Sequence, residues 1–133
     1  MPVSITLFYA GLNGLIAIAL ALGVVRQRQR TRTLFGSGGN PDLERAIRAH
    51  GNFVEYVPLV LILMLLLELC HTPAWRLHAM GAALTLGRLL HGWGLSRSSG
   101  WSFGRAAGIM LTWIVLVAAS ISAVIGGARL LFG

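Results

Sequence analysis

Two runs of 23 residues, Val3 to Val25 and Ala106 to Ala128, contain no charged side chain. At about 1.5 Å rise per residue each covers the roughly 30 Å hydrocarbon core of a bilayer. Each is also apolar around its whole circumference, unlike the surface helix of a water-soluble bundle, which keeps one polar face. Composition agrees. Of 133 residues, 56% are hydrophobic and 11% charged, too few charges to cover a small soluble domain. The net charge of +7 comes from 11 basic residues, all arginine, against four acids, and it is packed between apolar blocks. That placement excludes a soluble nucleic-acid-binding face. Cys70 is the sole cysteine, so there is neither an intrachain disulfide nor a cysteine metal cage.

Two further runs lie between these. Phe53 to Cys70 is broken by Glu55 and Glu68, and its helical pattern starts upstream, where Pro41 and Asp42 suit a first turn. Ala74 to Leu95 contains Arg76, His78, Arg88 and His91, yet its uncharged stretch Ala79 to Gly87 reads as a span whose charged ends snorkel to the interface. The expected fold is all-α, a single four-span membrane domain over 1–133 with spans at about 3–25, 42–71, 74–95 and 104–130. The arginines after the first span, with no cleavage pattern, predict that this span stays in the mature chain. Arg26, Arg28, Arg30, Arg32, Arg45 and Arg48 precede or open span two, and Arg97 and Arg105 bracket the turn between spans three and four. The positive-inside rule then puts both basic loops in the cytoplasm and both termini outside. Leu34 to Asn40, rich in glycine, reads as a flexible loop, and the arginine alternation before it as a topology anchor touching lipid headgroups.

The segment Asp42 to Pro58, DLERAIRAHGNFVEYVP, is the most informative. At 100° per residue Arg45, Arg48, Asn52, Glu55 and Tyr56 fall within an arc of roughly 100°. This stripe descends into the membrane, where a lipid-exposed carboxylate costs about 2–3 kcal/mol. Glu55 must therefore face protein, water or a partner. A salt-bridge network pairing Arg48 with Glu55 or with neighbours would account for such a stripe. So would a ligand site: two arginines, an amide, a carboxylate and a phenol complement a small zwitterionic peptide. His50 projects away from the stripe and reads as structural.

The pattern Glu44-Arg45-x-x-Arg48-Ala49-His50-x-Asn52-x-x-Glu55-Tyr56-x-Pro58 resembles the membrane-associated proteins in eicosanoid and glutathione metabolism. These include microsomal glutathione transferases, leukotriene-C synthase and microsomal prostaglandin E synthase. The resemblance extends over essentially the whole chain and is to a bacterial-type member, which implies a bacterial inner membrane. It implies homotrimers that hold glutathione between adjacent protomers near the cytosolic face, with a lipophilic small molecule as second substrate. On this resemblance Arg48, Asn52, Glu55 and Tyr56 bind glutathione from helix two, Arg26 reaches it from the first helix, and His91, in Arg88-x-x-His91, from the third. Arg105 matches the arginine that stabilises the glutathione thiolate, with Arg97 as the competing candidate. Leu95, Ala106 and Gly51 stand where relatives carry a tyrosine, a serine and an arginine, so prostaglandin E synthase activity is not implied. The function expected is glutathione binding with transferase or peroxidase chemistry on lipophilic electrophiles. The alternatives are a four-span transporter using Glu55 and a non-catalytic membrane interaction module.

Overall fold

A computed structural model describes residues 3–97 and 102–133, except the side chains of 95–97. Four helices follow one another: α1 (Ser4–Thr31), α2 (Pro41–Leu69), α3 (Ala74–Arg97) and α4 (Phe103–Phe132). Helices α1, α2 and α4 are long and apolar enough to cross a membrane. The 24 residues of α3 extend for about 36 Å, and α3 packs along α1, α2 and α4. It lies alongside them over this length although its sequence is less apolar. Each connection reverses direction, so the basic residues around 26–48 and 105 gather at one end, here called the basic end.

Local chemistry sets the helix boundaries. Asn40 caps α2 by accepting from the amides of Asp42 and Leu43, at 3.0 Å each, with Pro41 in the first turn. Helix α1 runs six residues past its apolar run, to Thr31, and Arg32 ends it in the left-handed region. Helix α2 continues through Pro58. The loop that follows α1 is less free than its glycines suggest. Arg28 Nη1 donates to the carbonyls of Thr33, Leu34 and Gly36 at 3.3, 2.9 and 3.1 Å, a staple rather than a purely lipid-facing anchor.

Helices α2 and α3 form the diagonal of the bundle. Both touch α1 on one side and α4 on the other, whereas α1 and α4 do not meet among the described residues. The core runs along this diagonal: Phe53, Val57, Val60 and Met64 of α2 and Leu84 of α3 are buried with Tyr9 of α1 and Val115 of α4. Gly81 lets α1 approach α3, since a Cβ there would lie 2.2 Å from the Tyr9 ring. Gly108 plays the same part between α3 and α4, where a Cβ would meet the Gly87 carbonyl oxygen at 2.5 Å. The Gly104 and Gly108 spacing thus marks a true close contact of backbones.

Glu68, which the sequence presents as an interruption of span two, has a defined duty at the opposite end. Its carboxylate accepts from the amides of Ile5 at 2.8 Å and Thr6 at 2.7 Å, in the first turn of α1. Helix α1 has no side-chain cap of its own, so an acid from the antiparallel neighbour supplies it. An acid in the last turn of its own helix is locally unfavourable, and the α1 amides offset this. Beside it the Tyr9 hydroxyl pairs with His78 Nδ1 at 3.3 Å, and Cys70 is exposed. No His, Cys, Asp and Glu group suited to a metal occurs among the described residues. Glu68→Ala is expected to lower stability by about 2–3 kcal/mol through loss of two charge-assisted bonds to buried amides, with Glu68→Gln milder; thermal unfolding in detergent, followed by circular dichroism, measures both.

Candidate functional site

The site is organised by Arg88, which is only 2% exposed. Snorkelling does not describe it. Its guanidinium turns inward and crosses the bundle: Nη1 donates to Asn52 Oδ1 of α2 at 2.7 Å, and Nη2 to Thr112 Oγ1 and to the Gly108 carbonyl, at 3.3 Å, on α4. Thr112 in turn donates to the same Gly108 carbonyl at 2.9 Å. Arg88 has no carboxylate partner among the described residues, so neutral dipoles solvate its charge. The close approach at Gly87 and Gly108 makes this reach possible, because a side chain at 108 would hold α4 away from α3.

Above this arginine, at the basic end, α2, α3 and α4 leave a cavity of about 520 Å³ lined by Asn52, His91, Ser102, Arg105, Ala106 and Ile109. Helix positions explain the gathering. Asn52 lies three turns into α2, His91 lies one helical turn past Arg88 on α3, and Arg105 is in the first turn of α4. Ser102 caps α4: its hydroxyl accepts from the Arg105 amide at 3.4 Å and donates to the Gly94 carbonyl at 3.3 Å. His91 Nδ1 pairs with the Arg105 carbonyl at 3.4 Å, which ties the ring to the same helix start. Guanidinium, imidazole, amide and hydroxyl thus converge on one opening, a set suited to anionic and peptide groups.

The remaining expected residues are placed differently. Arg48 and Glu55 flank Asn52 one turn on either side along α2 and are exposed, with no ion pair between them among the described residues. The salt-bridge account of the stripe therefore has no support within one chain. Tyr56 is half-buried and meets Trp113 of α4 edge-on, with ring centroids 6.5 Å apart. Arg45 leaves the stripe, because it pairs with Asp42 and lines a separate cavity against α1. Arg26 is exposed on α1, which sits across the α2–α3 diagonal from the α4 side. One chain therefore does not bring Arg26 to this cavity. Arg97 and Leu95, as side chains, and Trp101 with most of the 96–102 turn lie outside the described residues.

Sequence reasoning missed Arg88 and Ser102. The signal for Arg88 was its spacing, one turn before His91 and about two turns short of the end of the Ala74 to Leu95 run. For Ser102 it was the N-cap position three residues before Arg105.

With this geometry in place, comparison with known proteins decides the family. The family model described as MAPEG matches residues 6–125, nearly the whole chain. The chain belongs to the MAPEG family. It is similar to "Inner membrane protein YecN" of Escherichia coli strain K12, 38% identical over 114 residues that make up 85% of each chain. The protein of the same name from Escherichia coli O6:H1 strain CFT073 matches equally. The protein is thus a MAPEG-family membrane protein, related to an inner membrane protein. The match region contains the whole Arg88 cluster and the cavity above it.

Arg88→Met is expected to lower stability by about 1–3 kcal/mol, since Asn52 loses a charge-assisted partner. Combined with Thr112→Val the loss should be less than additive, because the two side chains share one network; a double-mutant cycle on unfolding midpoints tests this. Gly108→Ala should cost a similar about 1–3 kcal/mol by forcing α3 and α4 apart.

Proposed function

We propose that the protein binds glutathione in the α2–α3–α4 cavity and activates its thiol for attack on a lipophilic electrophile or peroxide that arrives from the bilayer. The observation that carries this reading is the meeting of Asn52, His91 and Arg105 around one opening. Three helices contribute one group each, and Arg88 holds two of those helices in register. Arg105 is the group assigned to the thiolate. A free thiol titrates near pKa about 8.5, and lowering this by about two units requires roughly 2.7 kcal/mol of preferential thiolate stabilisation. A guanidinium in a partly desolvated cavity at a helix start supplies that order of energy. The Ser102 hydroxyl, on the same rim, gives its proton to the Gly94 carbonyl and accepts from the Arg105 amide, which fixes the helix start that carries Arg105.

On this reading Asn52 and His91 hold the tripeptide backbone and cysteinyl region. Arg48 and Glu55, exposed along α2 next to Asn52, take a carboxylate and the glutamyl ammonium. Tyr56, one turn past Asn52 on α2 and braced by Trp113, contributes a further contact from helix two. Arg26 then serves the cavity of a neighbouring copy, because its own helix lies on the far side of the diagonal. Exposure of Arg48, Glu55 and Arg26 in a single chain supports a homotrimer in which each site is completed between copies. The basic end faces the cytoplasm, where glutathione is, and both termini lie on the other side of the membrane.

Glutathione added to the purified protein should produce a thiolate absorbance at neutral pH. Absence of binding at millimolar concentration would sink the proposal. Arg105→Ala should abolish the thiolate signal while binding survives within severalfold, and Glu55→Gln should weaken binding about tenfold, a loss of about 1.4 kcal/mol. Turnover of a generic electrophile separates catalysis from a purely binding role. Light scattering in detergent should return three chains of 14.2 kDa per particle.

A further inference from the structure

The second cavity, on the α1 side of the diagonal, has a different chemistry. Its volume is about 300 Å³, and its floor is made by Ala19, Gly23, Ala46, Ala49 and Gly92, with Leu20 beside them. Gln27, Asp42 and Arg45 stand at its mouth. The space is real rather than a packing seam. A Cβ at Gly23 would meet nothing within 4 Å, and one at Gly92 only Leu20 Cδ2 at 3.8 Å.

Polarity in this groove follows the membrane normal. Ala19 and Leu20 lie near the middle of α1, and Gln27 lies two turns, about 12 Å, nearer the basic end. The deep part offers neither donors nor acceptors from side chains, which leaves a peptide unsatisfied and suits a hydrocarbon chain. The mouth is at headgroup depth and is cationic. On α1, Arg30 falls within about 20° of Gly23 on the helix wheel, two turns above it. With Arg45 it outweighs the single carboxylate of Asp42. Basic pockets between membrane helices recognise anionic lipid headgroups.

We propose that this groove retains one anionic phospholipid per chain, its phosphate at Arg45 and Gln27 and one acyl chain along the Ala19–Gly23 floor. The lipid fills the opening that short side chains leave between α1, α2 and α3. It would brace the start of α2 around Arg45, about two turns before Asn52. The site shares no lining residue with the α2–α3–α4 cavity, so it stands whether or not glutathione binds there.

Native mass spectrometry of the protein purified in mild detergent, with a phosphorus assay, tests the proposal. The expected result is one phospholipid per chain, enriched in phosphatidylglycerol. After delipidation, phosphatidylglycerol should rebind at least tenfold more tightly than phosphatidylethanolamine. Gly23→Leu with Gly92→Leu fills the floor and should abolish retention. Arg45→Gln, a half-exposed change that leaves the floor intact, should weaken it about tenfold and serves alone if the double variant does not fold. Arg129→Gln, at the opposite end, should change nothing. No retained lipid, equal retention of phosphatidylethanolamine, or retention unaffected by both Arg45→Gln and the filled floor would overturn the proposal. Glutathione binding, measured on the same variants, should be unaltered; its loss in Arg45→Gln would assign the groove to glutathione instead and would also overturn it.

Discussion

A guanidinium in the middle of an apolar bundle is the constraint on which the rest of this structure depends. Arg88 is almost fully removed from solvent, and removal of its charge from water is tolerable only if several dipoles replace the hydration shell. Those dipoles come from two other helices: Asn52 on α2, Thr112 and the Gly108 carbonyl on α4. The requirement fixes three helices at one level. Lipid offers no competing partner at that depth, so the register of α2, α3 and α4 is specified by a polar contact where hydrophobic packing alone would be permissive.

That register in turn makes the openings at the basic end. Gly87, Gly94, Gly104 and Gly108 keep α3 and α4 in backbone contact up to the basic end, and His91, Arg105 and Ser102 border a cavity beside this seam. On the other flank, small residues of α1 and α2 leave a second opening with an apolar floor. The α2–α3 diagonal separates the two, so a polar cavity and one with an apolar floor have separate walls in one small chain. The opposite end is closed by different means. There Glu68 caps α1, and Tyr9 seats on Gly81 while bonding His78.

Much of this was legible residue by residue. The uncharged runs determine α1 and α4 because a bilayer admits few other conformations. Pro41 and Asp42 mark the start of α2, and the spacing of Arg48, Asn52 and Glu55 places them on one ridge. Three elements of the reading changed. Arg45 had the right helical phase for the stripe, but its ion pair with Asp42 one turn away and the proximity of α1 direct it elsewhere. Arg28 looked like a lipid-facing anchor and instead holds three loop carbonyls. Arg88 looked like a snorkelling end, because hydropathy counts a charge without knowing which neighbours will solvate it.

The sequence by itself determined the solvent, the number of helices and the charged ridge of α2, and its helix-two motif carried the resemblance to the family. The first three follow from periodicity and hydropathy, which are properties of one helix at a time. The tertiary structure decided which polar groups are satisfied and by whom, Glu68 by the amides of α1 and Arg88 by α2 and α4, and it brought Asn52, His91 and Arg105 to a shared opening. It also decided that Arg26 and Arg105 of one chain lie on opposite sides of the diagonal. Such facts depend on contacts between residues 14 to 63 positions apart, and no local pattern encodes a partner at that distance.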